Sequence, residues 1–194
     1  MIKVKYSFLL MILLIVGCGR SGSSNSTPSV AVTKSAIYTF QSDSIPAHDL
    51  GSLSDINLRC ANSFSTYNPV ISCTKFLGLV GHSSTTGIKT FASYHVLDGA
   101  RPVKLIDGTT ISSSFSDFLT NAPPAMNGAT WAGWPSSTWF SGISSDGSVG
   151  GNCNDYSDAN EWITLGSNNV SGNWDVDQDP CSYYDDYRHL CICY

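Results

Sequence analysis

The sequence predicts an α+β domain of two helices and short strands, with long loops, closed by disulfides. Three observations carry that prediction. Leu53, Ile56, Cys60 and Phe64 recur at i, i+3, i+7 and i+11, the spacing of one helix face. Six cysteines remain once Cys18 near the N-terminus is set aside: Cys60, Cys73, Cys153, Cys181, Cys191 and Cys193. An even number in an exported chain reads as a disulfide set. Long Gly/Ser/Asn loops separate short strand candidates around Trp131, Trp162 and Trp174.

The N-terminus is the basis for export. Lys3 and Lys5 precede an unbroken apolar run from Phe8 to Val16. A membrane span needs about 20 apolar residues, so this run suits the core of a signal peptide over residues 1–17. Ile15-Val16-Gly17-Cys18 is similar to the bacterial lipobox, in which the cysteine is acylated and begins the mature protein. Cys18 is therefore the expected lipidation site. The envelope is the expected location, with the outer membrane allowed because Gly19 stands where aspartate favours inner-membrane retention. Residues 18–33, rich in Ser and Gly, cannot bury enough apolar surface to fold alone and read as a flexible tether. As a coil it reaches on the order of 20 Å. The rest of the chain, residues 34–194, has the size of one domain.

Within that domain, AIYTFQS (Ala36 to Ser42) reads as a strand. Ser52 with Asp55 three residues on approximates a capping box and starts the first helix, which carries Cys60 on its buried face. A second short helix is expected from Ser113 to Leu119, with Phe115, Phe118 and Leu119 inward, stopped by Asn121-Ala122-Pro123-Pro124. The closing RHLCICY reads as a strand. Its alternation puts His189, Cys191 and Cys193 on one face and Leu190, Ile192 and Tyr194 on the other. Cys191 and Cys193 then stand about 7 Å apart at Cα, too far for a mutual bond, so each needs its own partner. A zinc reading of His189-x-Cys191-x-Cys193 lacks a second cysteine pair at ligand spacing.

Removing Lys3 and Lys5 from the 10 basic residues leaves 8 against 15 acidic ones, a net charge of −7. The acidic excess lies after Asp146, where Arg188 is the only arginine or lysine. This is not a nucleic-acid footprint, and it argues against heparin or anionic lipid as the main ligand. Membrane contact is expected through the lipid anchor alone. In DVDQDPCSYYDD, Asp175, Asp177 and Asp179 fall at positions 1, 3 and 5 of a calcium loop, with Asp186 at position 12. Pro180 occupies the place of the turn glycine, which argues against an EF-hand. The three clustered carboxylates still allow a looser calcium site.

No catalytic constellation emerges. GHSSTTG (Gly81 to Gly87) misses the spacing of a nucleophile elbow by one residue. His48, His82, His95 and His189 are scattered, and six paired cysteines leave no thiol nucleophile. The chain is not expected to be an enzyme.

Five stretches occur in a telling order: LSDINLRC, CTKFLGLVG, WAGW, GGNCNDYSDANEW and RHLCIC. In that order and spacing the chain resembles the C-type lectin-like fold, and within it the leptospiral endostatin-like lipoproteins and related spirochaete proteins. The resemblance implies a looped domain with a mainly antiparallel sheet, whose last strand pairs with the first. It also implies bonds from Cys153 to Cys181 and from Cys60 to Cys191 or Cys193, with Cys73 taking the other. The Glu-Pro-Asn or Gln-Pro-Asp triplet of sugar-binding relatives is absent, and Asn173-Trp174-Asp175 departs from their Trp-Asn-Asp. By the same resemblance, the expected partners are host extracellular-matrix or complement-regulator proteins, bound through the loop region. The residues expected to bind are the exposed members of Trp131, Trp134, Trp139, Tyr183, Tyr184, Asp185 and Asp186. A calcium-independent glycan-binding module and a structural envelope lipoprotein without a soluble partner are the alternatives.

Overall fold

A computed structural model describes residues 35–67, 69–83, 87–121, 132–168, 173–182 and 188–194, all within one unit, Thr33–Tyr194. The first expected strand forms over Ile37–Gln41 (β1) and is followed by a 3-10 turn at Ala47–Asp49. Helix α1 (Leu53–Thr66) starts at a complete capping box. Ser52 Oγ accepts the N–H of Asp55, and the Asp55 carboxylate accepts the N–H of Ser52. Its buried face is Ile56, Cys60, Ser63 and Phe64, with Leu53 half-buried at the first turn.

The remaining elements are β2 (Phe76–Gly78), α2 (Ile88–Tyr94), β3 (Val103–Leu105), β4 (Thr110–Ser112) and α3 (Phe115–Asn121), followed by β5 (Thr138–Phe140). The chain then forms α4 (Cys153–Tyr156), β6 (Trp162–Ser167), β7 (Asn173–Pro180) and β8 (Leu190–Cys193). The class is α+β, as expected, but the described residues hold four helical segments rather than two. Helix α2 has no counterpart among the expected elements. Helix α3 buries Phe115, Phe118 and Leu119 as expected. Trp162 and Trp174 lie in strands, while Trp131 is outside the described residues. Among the described residues no helix is long and apolar enough to cross a membrane.

The larger sheet has the order β2-β8-β1-β3-β4. Strand β8 runs antiparallel to β1 and β2, and β1 runs parallel to β3. All four residues of β8 are buried because the strand has a neighbour on each side and a core on each face. Leu190 and Ile192 enter the main core with Ile37, Leu79 and Trp139. Cys191 and Cys193 enter a second cluster with Phe40 and Phe64. Each such aliphatic side chain, fully removed from water, contributes about 1.5–3 kcal/mol.

Three disulfides join Cys60 to Cys191, Cys73 to Cys193 and Cys153 to Cys181. The alternative left open by the sequence is thus resolved in favour of Cys191 as the partner of Cys60. Both terminal cysteines point from β8 toward α1 and the segment before β2.

The second sheet has the order β5-β6-β7, all antiparallel. It meets the first where Phe140 donates its N–H to the carbonyl of Arg188 at 2.7 Å. Indole rings meet edge to face in the core: Trp139 of β5 lies 5.5 Å from Trp134 and 6.0 Å from Trp174 of β7. The Trp139 ring fits only because position 166 is glycine, where a Cβ would stand 2.5 Å from the indole.

Candidate functional site

The start of β1 and the end of β8 lie side by side. Tyr38 is the register partner of Cys193, and Arg101 donates to the carbonyls of Ser35 and Ala36. Arg101 and Lys75 also lie over the ring of Tyr194. The other end of β1 is where the second sheet joins, since Ser42 donates its N–H to the carbonyl of His189 and Phe140 bridges to His189. The second sheet therefore joins at the Gln41 end of β1 and the Leu190 end of β8.

One face of this sheet meets water. Trp162 is the register partner of Pro180, and Thr164 of Gln178, so these side chains share a face with Val176. Toward β5 that face is covered, with Trp139 and Trp174 in the core. Toward Trp162 it opens: Trp162 is 53% exposed and Val176 38%. Asp175, Asp177 and Asp179 alternate with these residues on the other face of β7, the edge strand. Carboxylates on an edge strand also discourage pairing with stray strands.

Beside Trp162 is a depression of about 360 Å³, bounded by Gly150, Gly151, Asn152, Asn154 and Glu161. Its wall is α4, a single turn of the wrong hand. Cys153, Asn154, Asp155 and Tyr156 all have φ between 53° and 63°. For residues with a Cβ this conformation costs about 1–2 kcal/mol each. Three anchors offset that cost. Cys153 is bonded to Cys181, and the buried Tyr156 hydroxyl donates to the carbonyl of Gly81 at 2.8 Å. The Asp155 carboxylate accepts the N–H of Ser83 and the side-chain amide of Asn152. Burial pushes the Tyr156 phenol far above its ordinary pKa, so it remains a donor. His82 Nδ1 stands 3.7 Å from Asp155, a His/Asp proximity not visible in the sequence order. Asp155 already accepts two hydrogen bonds in this anchor, and the arrangement is a structural clamp on the turn.

Three sets of expected site residues are corrected or lie elsewhere. Trp134 and Trp139 are buried at 0% exposure, so neither contacts a partner; they are core, held by each other's rings and by Trp174. Asp175, Asp177 and Asp179 lie in a strand, not in a loop of the EF-hand kind. They belong to extended β7, where residues two apart stand nearly 7 Å from one another, and Asp175 accepts the N–H of Ser145. Trp131, Tyr183, Tyr184, Asp185 and Asp186, like Cys18, lie outside the described residues.

Among the described residues, one group brings three metal-ligand side chains together: Cys60, His189 and Cys191. Both sulfurs belong to the disulfide, leaving the imidazole as the single donor. His189 Nε2 is 3.4 Å from Cys60 Sγ, and burial lowers its pKa to about 3, with Arg59 adding to the effect. In the oxidised protein this is a neutral core histidine. Among the described residues, Trp162 and Tyr94 are exposed aromatics that sequence reasoning missed, and Trp162 is the one on a strand. The alternation in EWITLGS, with Trp162, Thr164 and Gly166 against Ile163, Leu165 and Ser167, places it on the less apolar face. The chain matches no protein-family model and no curated protein.

Proposed function

We propose that this chain is an exported, lipid-anchored bacterial surface protein that binds host proteins and has no catalytic role. Its ligands on this reading are extracellular-matrix or complement-regulator proteins with a basic surface. The single observation that supports it most is Trp162, half-exposed on the sheet face it shares with Val176 and Gln178, with the exposed Glu161 next to it in the chain. A tryptophan anchor on a firm backbone with a polar, charged rim is the make-up of an interface hot spot. The second sheet joins the first at the Gln41 end of β1, away from Ile37, which suits a domain tethered by residues 18–33 to an acylated Cys18 in the outer membrane. The bonds from α1 and from the segment before β2 to the last strand support the C-type lectin-like, endostatin-like reading of the fold.

The test is solution binding of the oxidised protein to a panel of matrix and complement-regulator proteins, with Trp162→Ala alongside. Saturable binding that the substitution weakens supports the reading. A blank panel, or binding that Trp162→Ala leaves unchanged, removes it.

A further inference from the structure

The chain's last strand and the residue before it bring Cys191 and His189 against Cys60 of α1. The two sulfurs and a ring nitrogen of His189 all lie within 4.8 Å of one another, and the three residues are fully buried. A metal ion bound at about 2.0–2.3 Å from each donor holds its ligands roughly 3.5–4 Å apart. The cluster thus comes close to the dimensions of a three-ligand site once its sulfurs are thiolates rather than partners in a bond.

The imidazole is held from its far side. Ser42 Oγ donates to the carbonyl of Asp43 at 2.9 Å, which uses the single hydroxyl proton. His189 Nδ1, 2.9 Å from the same oxygen, is then the donor, and Nε2 keeps its lone pair. Nε2 is the nitrogen that faces sulfur, 3.4 Å from Cys60 Sγ. A metal-bound histidine has this arrangement, with its other N–H given to an oxygen that fixes ring and tautomer. The carbonyl of Ile56 also faces the ring and would compete for a proton on Nε2, so the tautomer is itself a test. The fold keeps the donors together by other means than the disulfide. Strand β8 pairs with β1 on one side and β2 on the other, and Ser42 Oγ accepts the backbone N–H of His189.

Donor type and charge select the metal. Two thiolates and an imidazole are soft donors that suit Cu(I) or Zn(II). Zinc takes four ligands in closed sites, and among the described residues this group holds three. Two thiolates on Zn(II) leave no net charge, whereas on Cu(I) they leave one negative charge. The Arg59 guanidinium, near enough to act on His189, favours the negative complex. We propose that the reduced protein binds one Cu(I) through the Cys60 and Cys191 thiolates and His189 Nε2, and that metal and disulfide are alternative ways of joining α1 to the last strand. Reduction by a dithiol gives the two thiols and the dithiol's own disulfide, and Cu(I) then displaces both thiol protons to solvent. In reverse, a disulfide oxidant takes two electrons from the thiolates, the S–S bond re-forms and Cu(I) leaves. Because the donors are fully buried, the metal enters before the last strand has docked, during folding of the reduced chain.

The site is independent of the protein-binding reading, which concerns the oxidised chain. The full-length protein would be reduced in denaturant, refolded without oxygen in the presence of Cu(I) supplied as its acetonitrile complex, and challenged with a chromophoric Cu(I) chelator. The expected result is one copper retained per chain, with two sulfurs and one nitrogen around it by X-ray absorption. His189→Gln should weaken copper binding at least about tenfold. Cys60→Ser/Cys191→Ser should abolish it, while Cys73→Ser/Cys193→Ser, which keeps all three ligands, should retain it. Bound copper should also block re-formation of Cys60–Cys191 by oxidised glutathione. In the oxidised protein, the ring nitrogen shifts of His189 should be those of the Nδ1–H tautomer. An Nε2–H tautomer there, an all-sulfur copper environment, or copper held equally by either ligand variant would each overturn the proposal. So would a reduced chain that retains no copper or stays unfolded with copper present.

Discussion

Ser42 and His189 hold one another where the two sheets meet. Ser42 Oγ accepts the backbone N–H of His189 at 3.1 Å and stands 2.9 Å from its Nδ1. The pair is fully buried, and the same imidazole faces the Cys60–Cys191 bond. One end of the last strand is thus fastened by a hydrogen-bonded core histidine, and the rest of it by two disulfides.

That arrangement predicts an acid sensitivity. Burial lowers the His189 pKa to about 3, whereas an unfolded histidine titrates near 6.5. Below pH 6.5 the unfolded chain takes up a proton that the native imidazole refuses, so stability falls as pH drops. From this residue the slope is at most about 1.4 kcal/mol per pH unit, down to the folded pKa. Above pH 6.5 it contributes no pH dependence. Urea midpoints between pH 7 and 4 should fall less steeply in His189→Gln than in the wild type, and equal slopes would sink the argument. The His189 ring resonances of the wild type should remain those of a neutral imidazole at pH 5, which tests the same point without a variant.

The two terminal staples should be coupled. Taken alone, each closes a loop of more than a hundred residues, worth about 4.7 kcal/mol in the chain-entropy view. Once Cys60–Cys191 is closed, Cys73–Cys193 adds a ring of only roughly fifteen residues, worth about 3 kcal/mol. Removing either bond should therefore cost about 3 kcal/mol, and removing both more than twice that. Chemical denaturation of Cys73→Ser/Cys193→Ser, Cys60→Ser/Cys191→Ser and the quadruple variant measures this. Simple additivity would show that the unfolded chain does not behave as the loop argument requires.

Helix α2 ends in a Schellman motif with an unusual residue at its left-handed position. Leu97 N–H bonds to the carbonyl of Ala92 at 2.8 Å, and Val96 N–H to that of Ser93 at 3.2 Å. Val96 has φ 54° and is 90% exposed, so a β-branched side chain occupies the glycine position without packing in return. Val96→Gly should stabilise the domain by about 1 kcal/mol, the strain removed less the added flexibility of the unfolded chain. A thermal midpoint that falls would mean that Val96 makes a contact that outweighs its strain.

The elements legible in the sequence are those with a repeating local signal. The period of Leu53 to Phe64 with its capping box marks α1, and the alternation of RHLCICY marks β8 and its two faces. The three-residue strands β2 to β5 are too short for any period to show. Helix α2 carries its signal in Ile88, Phe91 and Ala92, at i, i+3 and i+4, but a glycine and a threonine-rich stretch in front of it mask the start. Asp175, Asp177 and Asp179 show why the sequence does not tell a calcium loop from a strand. Positions 1, 3 and 5 of a calcium loop and the alternation of a strand are the same spacing, and only the pairing of β7 with β6 distinguishes them. Burial of Trp139 depends on Gly166 of a neighbouring strand distant in sequence, and Trp134 packs on Trp139, which composition does not reveal.

Anchor and charge should separate at the proposed protein-binding face. Trp162 offers apolar area on a fixed backbone, so Trp162→Ala should cost a bound protein about 2 kcal/mol or more, roughly thirtyfold in Kd. Its effect should be the same at low and high salt, because the lost contact is not ionic. Asp177→Asn, on an exposed side chain of the same strand pair, should weaken a basic partner by only about 0.2–1 kcal/mol. It should also reduce the salt dependence of binding, since an exposed charge acts through solvent and is screened over about 8 Å at physiological ionic strength. Binding constants for both variants across a salt series decide the matter. If Trp162→Ala is neutral while Asp177→Asn is severe, the partner is held by charge alone, and the sheet face is not its docking site.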